Sequence, residues 1–161
     1  FHFRNKMEFT FSNSEYVPES EKERTPSDFA LGLHAKGRWD KILNINECHI
    51  QAPIANKILQ AIKKLTENLE PFNIREHTGF LRKVIIRVGT NTDEVMVNIV
   101  TSREDEKALE PISSSLISNF PSITSIVNNI TTKKSGVSIS EHQVVLHGDD
   151  YILEKLGTRP H

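Results

Sequence analysis

The sequence predicts an α+β fold, an antiparallel sheet with two main helices on one face. Three observations carry this. Residues 51–70, and a second stretch starting at Ser102 or Arg103, repeat apolar side chains at three- and four-residue spacing. Residues 81–88, 94–101 and 123–130 are short runs rich in Val and Ile. From about residue 39 the order is strand, helix, strand, strand, helix, strand. That is the ferredoxin-like βαββαβ order, and further strands are expected at both ends.

Each element has its own signal. In residues 1–12, Phe1, Phe3, Met7, Phe9 and Phe11 fall on one face of a strand, with Arg4, Lys6 and Glu8 between them. Residues 13–28 hold Glu15, Glu19, Glu21, Lys22, Glu23, Arg24 and two prolines, and read as an exposed, mobile loop. Residues 29–33 and 39–45 form a hairpin whose turn, 34–38, uses Gly37 for the left-handed conformation. The helix of 51–70 takes Pro53 in its first turn, where a missing N–H is harmless. Ile54, Ile58, Ala61, Ile62, Leu65 and Leu69 share one of its faces, and Pro71 ends it. Residues 89–93 join the next two strands as a short hairpin loop. The second helix sets Ala108, Leu109, Ile112, Leu116 and Phe120 on one side, with Pro111 inside the pattern. A turn at 131–136 and two short strands, 144–146 and 151–153, follow the strand at 123–130.

Composition bounds the chemistry. A chain of 161 residues is one ordinary domain, and a formal net charge of -1 excludes a uniformly basic coat while allowing a local basic patch. No apolar run approaches the roughly 20 residues of a membrane span, and no signal-peptide core follows the first residues. The single cysteine, Cys48, excludes an internal disulfide and a Cys-only metal site. Its neighbour His49 points the other way in extended chain, so the two make no nucleophile–base pair, and a buried structural thiol is the simpler reading. No two histidines have the helical spacing of a zinc pair. Glu104, Asp105 and Glu106 complement a helix dipole. The 7 glycines are scattered, so no glycine-rich loop cradles a nucleotide phosphate. The strands at 81–88 and 95–100 lack aromatic residues, which argues against an RRM, whose central strands stack bases.

The basic residues are more suggestive. Arg75, Arg82, Lys83 and Arg87 form one group, Lys36, Arg38 and Lys41 a second, and Arg4 with Lys6 a third. Such groups can neutralise phosphates, although on the residues alone an ordinary charged surface is the simpler reading.

Several strings, in order, carry a family resemblance. They are Phe3-Arg4-Asn5-Lys6-Met7-Glu8-Phe9, then Leu31-Gly32-Leu33-His34 with Gly37-Arg38-Trp39-Asp40, and Glu47-Cys48. After the helix come His77-Thr78-Gly79-Phe80-Leu81-Arg82 with Ile86-Arg87, then Ser125-Ile126-Val127-Asn128-Asn129, and Gly148 with Tyr151-Ile152. Together they resemble the central part of the bacterial 23S rRNA (uracil-5-)-methyltransferases, which use S-adenosylmethionine. The resemblance implies a mechanism in which a cysteine thiolate adds to C6 of uracil, so that C5 accepts the methyl group. It places the cofactor site, that cysteine and the base in a C-terminal Rossmann-type domain, and an RNA-binding β-barrel at the N-terminal side. Residues 1–161 are then expected to be a single central, non-catalytic domain of a larger cytoplasmic enzyme, cut from a longer chain.

On this reading RNA is the partner, bound weakly by the segment alone, together with the rest of the same polypeptide and no membrane. Arg4, Lys6, Lys36, Arg38, Lys41, His77, Arg82 and Arg87 are candidate RNA contacts, with Arg82 and Arg87 open also to a bracing role. Asn5 and Glu8 position them, Glu8 by a charge-assisted bond. Cys48 aligns with the fourth, distant ligand of a 4Fe-4S cluster that some members carry, and the other three cysteines would precede Phe1. The alternative reading is a stand-alone ferredoxin-like interaction or small-molecule-binding module.

Overall fold

The alternation near the start of the chain becomes strand β1, Lys6–Ser12, with Met7, Phe9 and Phe11 buried. The computed structural model of the chain describes residues 2–134, 140–155 and 157. Phe1, the part of the predicted turn at Ser135 and Gly136, and the final 158–161 lie outside the described residues. The other strands are β2 (Glu15–Tyr16), β3 (Ala30–His34), β4 (Ile42–Asn44), β5 (Leu81–Val88), β6 (Val95–Thr101), β7 (Ile123–Ile130) and β8 (His142–Gly148). Helices α1 (Pro53–Thr66) and α2 (Glu106–Asn119) pack against each other on one face of the sheet.

All eight strands lie in one mixed sheet, ordered β2-β4-β3-β1-β5-β6-β7-β8. This corrects the expected antiparallel, ferredoxin-like arrangement. β6 and β7 run parallel, joined through α2, and β2 runs parallel to β4. β1 stands between β3 and β5, so the strands that flank α1, β4 and β5, are not neighbours. The reason is the phenylalanine row. Phe9 and Phe11 have no exposed surface and join both helices in one core cluster, which suits an interior strand paired on both sides.

The helices follow the predicted logic with shifted details. Pro53 opens α1, and its buried residues are Ala55, Ile58, Leu59, Ile62 and Thr66, so the stripe is rotated from the expected one. Ile54, Ala61 and Leu65 line its partly buried margin, and Leu69 packs on the core beyond the helix, which ends at Thr66 before reaching Pro71. Gln51 stays outside the helix, bridged to Arg4. In α2 the Asp105 carboxylate accepts the Ala108 N–H at 3.1 Å, a capping bond that holds the first turn. Pro111 sits within this helix without ending it.

Three further expectations change. The 13–28 segment is not merely an exposed loop, since it contains β2 and a 3-10 turn at Glu19–Glu21. Glu15 is buried there, held by both terminal nitrogens of Arg24 at 2.9 Å and by the Ser27 N–H at 2.7 Å. The second hairpin strand is only Ile42–Asn44, leaving Trp39 exposed in the turn. Residues 151–153 form no strand. They belong to a strap that crosses to the β5–β6 hairpin, where the Glu154 carboxylate accepts the N–H groups of Thr90 and Asn91 at 2.6 and 3.0 Å.

Two measurements check this account. Phe9→Ala should cost about 3–5 kcal/mol in chemical denaturation, the range for emptying a fully buried phenylalanine site. Burial raises the Glu15 carboxyl, but the bonds from Arg24 and Ser27 outweigh it and hold it below the usual carboxylate range. The stability this gives is therefore present above that range and lost as pH falls through the depressed value. Denaturation midpoints of wild type and Glu15→Gln should differ at neutral pH and converge in acid.

Candidate nucleic-acid interface

The helices cover one face of the sheet, so the pleat sends every second side chain of the central strands to the other, open face. On β1 those are Lys6, Glu8 and Thr10, opposite Met7, Phe9 and Phe11. On β5 they are Lys83, Ile85 and Arg87, and on β6 Met96 and Asn98. Register then decides the neighbours. Lys6 stands across from Arg87, Glu8 from Ile85 and Thr10 from Lys83. The next strand sets Met96 beside Arg87 and Asn98 beside Ile85.

Charge on this face is organised around Glu8. Its carboxylate lies 3.3 Å from the Lys6 ammonium and 3.8 Å from that of Lys83. Lys6, Glu8 and Arg87 line a recess of about 330 Å³, closed on one side by Asp150, Tyr151 and Ile152 of the strap. Asn98 also lines it, with a buried Oδ1 that accepts no hydrogen bond among the described residues. Tyr151 is 56% exposed at its rim.

A second recess, of about 180 Å³, lies at the other end of the β1 row, against residues 72–77. His77 has a positive φ of 58°, fixed by its N–H to the Asn73 carbonyl at 2.8 Å. Gly79 turns the chain back at φ 106°, where a Cβ would strike the Pro71 carbonyl oxygen. This loop sets the His77 ring 6.5 Å from that of Phe72, and the Arg82 guanidinium stacks on Phe72 at 4.5 Å.

The predicted site residues fall into separate groups. Lys6 and Arg87 meet as a cross-strand pair, with Glu8 as the expected positioning carboxylate. Asn5 fixes the strand start, its carbonyl accepting the Val88 N–H at 2.8 Å, and exposed Arg4 donates its backbone N–H to Ile50 at 2.9 Å. His77 and Arg82 meet across Phe72, but Arg82 is buried and donates to the Thr131 carbonyl at 2.8 Å, so it braces the fold. Burial also lowers its pKa. Lys36, Arg38 and Lys41 stay in the β3–β4 turn. There Arg38 lies 3.6 Å from buried Asp40, which also takes the Arg75 Nε at 3.0 Å. Asn98 and Lys134 escaped the sequence reading, and His34 and Tyr151 entered it only within the family strings, not as site candidates. The register and the strap bring them to the open face.

Cys48 stands apart. It is buried beside α1, where Asn56 accepts its N–H at 2.9 Å and donates to its carbonyl at 3.1 Å. A single thiol does not fit a cluster that needs four thiolates, and among the described residues no group of three or more His, Cys, Asp or Glu is placed to hold a metal. No glycine-rich turn among the described residues fits S-adenosylmethionine either. No helix among the described residues is long and apolar enough to cross a membrane.

Comparison with known proteins bears on what such a face is for. No family model matches the chain. An uncharacterized RNA methyltransferase of Chlorobaculum tepidum is 34% identical over 163 residues, covering 97% of this chain and 34% of its own length. One of Porphyromonas gingivalis is 34% identical over 165 residues, covering 96% of this chain and 35% of itself. The resemblance is to RNA methyltransferases. The chain spans about a third of the length of these relatives. Among solved structures, the Pyrococcus abyssi tRNA (uracil-54, C5)-methyltransferase in complex with S-adenosyl-L-homocysteine matches with a TM-score of 0.67 at 25% identity. That match covers 96% of this chain and 33% of the other.

The bracing role of Arg82 is testable. Arg82→Ala should lower stability by about 1–3 kcal/mol, because it orphans a buried carbonyl and bares the Phe72 ring. Arg82→Lys should recover only part of that, since an ammonium lacks the planar fork. Urea denaturation of the three proteins measures both.

Proposed function

We propose that the chain is the central, non-catalytic part of an S-adenosylmethionine-dependent RNA (uracil-5-)-methyltransferase acting on rRNA, in which it binds and positions the RNA. The observation that carries this is the cross-strand pair of Lys6 and Arg87 on an open sheet face, which joins two of the strings that resemble the family, Phe3 to Phe9 and Ile86-Arg87. The relatives named RNA methyltransferases and the structural likeness to a tRNA (uracil-54, C5)-methyltransferase support it.

The chemistry sets the division of labour. C5 of uracil is a poor nucleophile, so methylation needs covalent activation by a thiolate with a base in reach. Cys48 does not suit that task, since it is buried and its backbone is clasped by Asn56. S-adenosylmethionine would supply the methyl group at a site outside these residues. The part left to this chain is electrostatic. Lys6 and Arg87 neutralise backbone phosphates, and Glu8 holds the Lys6 ammonium in place so that the contact has a fixed position.

Salt-dependent binding of the whole chain to a 23S rRNA stem-loop tests the reading. Lys6→Ala with Arg87→Ala should weaken binding about tenfold and flatten the log affinity–log salt slope by about 1.4, at roughly 0.7 per cation lost. Arg38→Ala, whose charge is already committed to Asp40, should change it much less. Equal affinity and slope for wild type and the double variant would remove the assignment. A preference for a tRNA arm over the rRNA stem-loop would move the substrate from rRNA to tRNA. With S-adenosylmethionine and RNA the chain alone should transfer no methyl group, and turnover would overturn the non-catalytic role.

A further inference from the structure

Five basic side chains from four separate stretches of chain line the recess against residues 72–77, beside Thr10, Phe72 and Ile74. His34 ends β3, His77 stands on its left-handed turn, Arg82 and Lys83 come from β5, and Lys134 follows β7. No carboxylate lines it among the described residues. The nearest counter-charges lie outside its wall. Glu8 is 3.8 Å from Lys83, and Glu141 acts on Arg82 at longer range. His34, His77 and Lys134 are exposed, so their polar ends are open to a ligand. Ile74 and buried Phe72 make an apolar wall, which raises the strength of any charge contact made against it.

We propose that this recess is a phosphate-binding subsite, taking one phosphate group of a bound RNA. The phosphate identity rests on the RNA reading above, and the anion preference rests on the recess itself. Lys83 and Lys134 supply fixed charge, and the two imidazoles donate N–H bonds to the phosphate oxygens. Arg82 stays on Thr131 and Phe72 and lends long-range positive potential without leaving its place. The recess is separate from the Lys6–Arg87 pair. Thr10 lines this recess and Lys6 the other, four residues apart on β1 with Glu8 between them, so a strand of roughly 13 Å connects the two. A single-stranded RNA laid along β1 meets both. The strained backbone at His77 has a purpose in this light, since the left-handed turn is what brings its ring to the recess.

The test uses the whole chain with three probes. Inorganic phosphate is titrated at low salt, with the imidazole NMR signals of His34 and His77 as readout. Saturable shifts of both rings are expected in the wild type, and phosphate affinity read on the His34 ring should weaken about tenfold in Lys134→Gln with His77→Asn, asparagine being chosen because it tolerates the left-handed turn. A single-stranded oligouridylate should lose about tenfold in affinity to the same variant, and its salt slope should fall by about 0.7 for the lysine lost. No saturable ring shift, or shifts that the variant leaves unchanged, would overturn the subsite even if RNA binding through Lys6 and Arg87 persists. Phosphate shifts without any RNA binding would keep the subsite and remove the RNA reading. Equal binding of polyglutamate and oligouridylate would overturn the preference for phosphate.

Discussion

The burial of Met7, Phe9 and Phe11 beneath the two helices is the constraint from which the rest follows. A strand has a side-chain period of two, so the residues between them have only one place to go. Lys6, Glu8 and Thr10 face outward because the aromatic row faces inward. A one-residue slip of β1 would bury two charges and expose two phenylalanines. The register with β5 is therefore fixed strongly, and it makes Arg87 the neighbour of Lys6 and Lys83 the neighbour of Thr10.

Electrostatics on the open face divides labour among cations that look alike in sequence. Arg82 and Arg75 have their guanidinium groups taken up, one by a carbonyl and a ring, the other by buried Asp40. Glu8 sits between Lys6 and Lys83 and orders them without cancelling both. The remaining exposed cations give the face its local positive character in a chain whose formal net charge is -1. Local arrangement matters here more than total charge.

Much of this was legible in the sequence. The Phe-rich alternation, the stripe from Ile54 to Leu69 and the Val/Ile runs of β5, β6 and β7 mark their elements because core burial writes directly into side-chain periodicity. Lys6, Glu8 and Arg87 were singled out as candidate site residues, and the sheet brings them to one face. The strand order was not legible, because periodicity reports which face is buried and not which strand lies alongside. The insertion of β1 between β3 and β5 depends on pairings between residues as far apart as Phe9 and Val84. Glu15 misled for a related reason. Its charge marks it as exposed, and only Arg24, nine positions later, makes its burial tolerable. The strap was misread as a strand because Tyr151, Ile152 and Leu153 have high strand propensity, whereas their actual partners are the turn at residues 90–94.

The central position of β1 has a kinetic consequence. The strands β5 to β8 pair with sequence neighbours and enclose α2, so they are built from short-range connections. β1 reaches β5 only by closing a loop of roughly 75 residues, with the entropy cost that such closure carries. Long-range pairing of this kind slows folding, and local units form with less delay. Until β1 docks, one side of the sheet centre is an unpaired edge and neither open-face recess has its second wall. The walls of both recesses thus come together in the same event that seals the core.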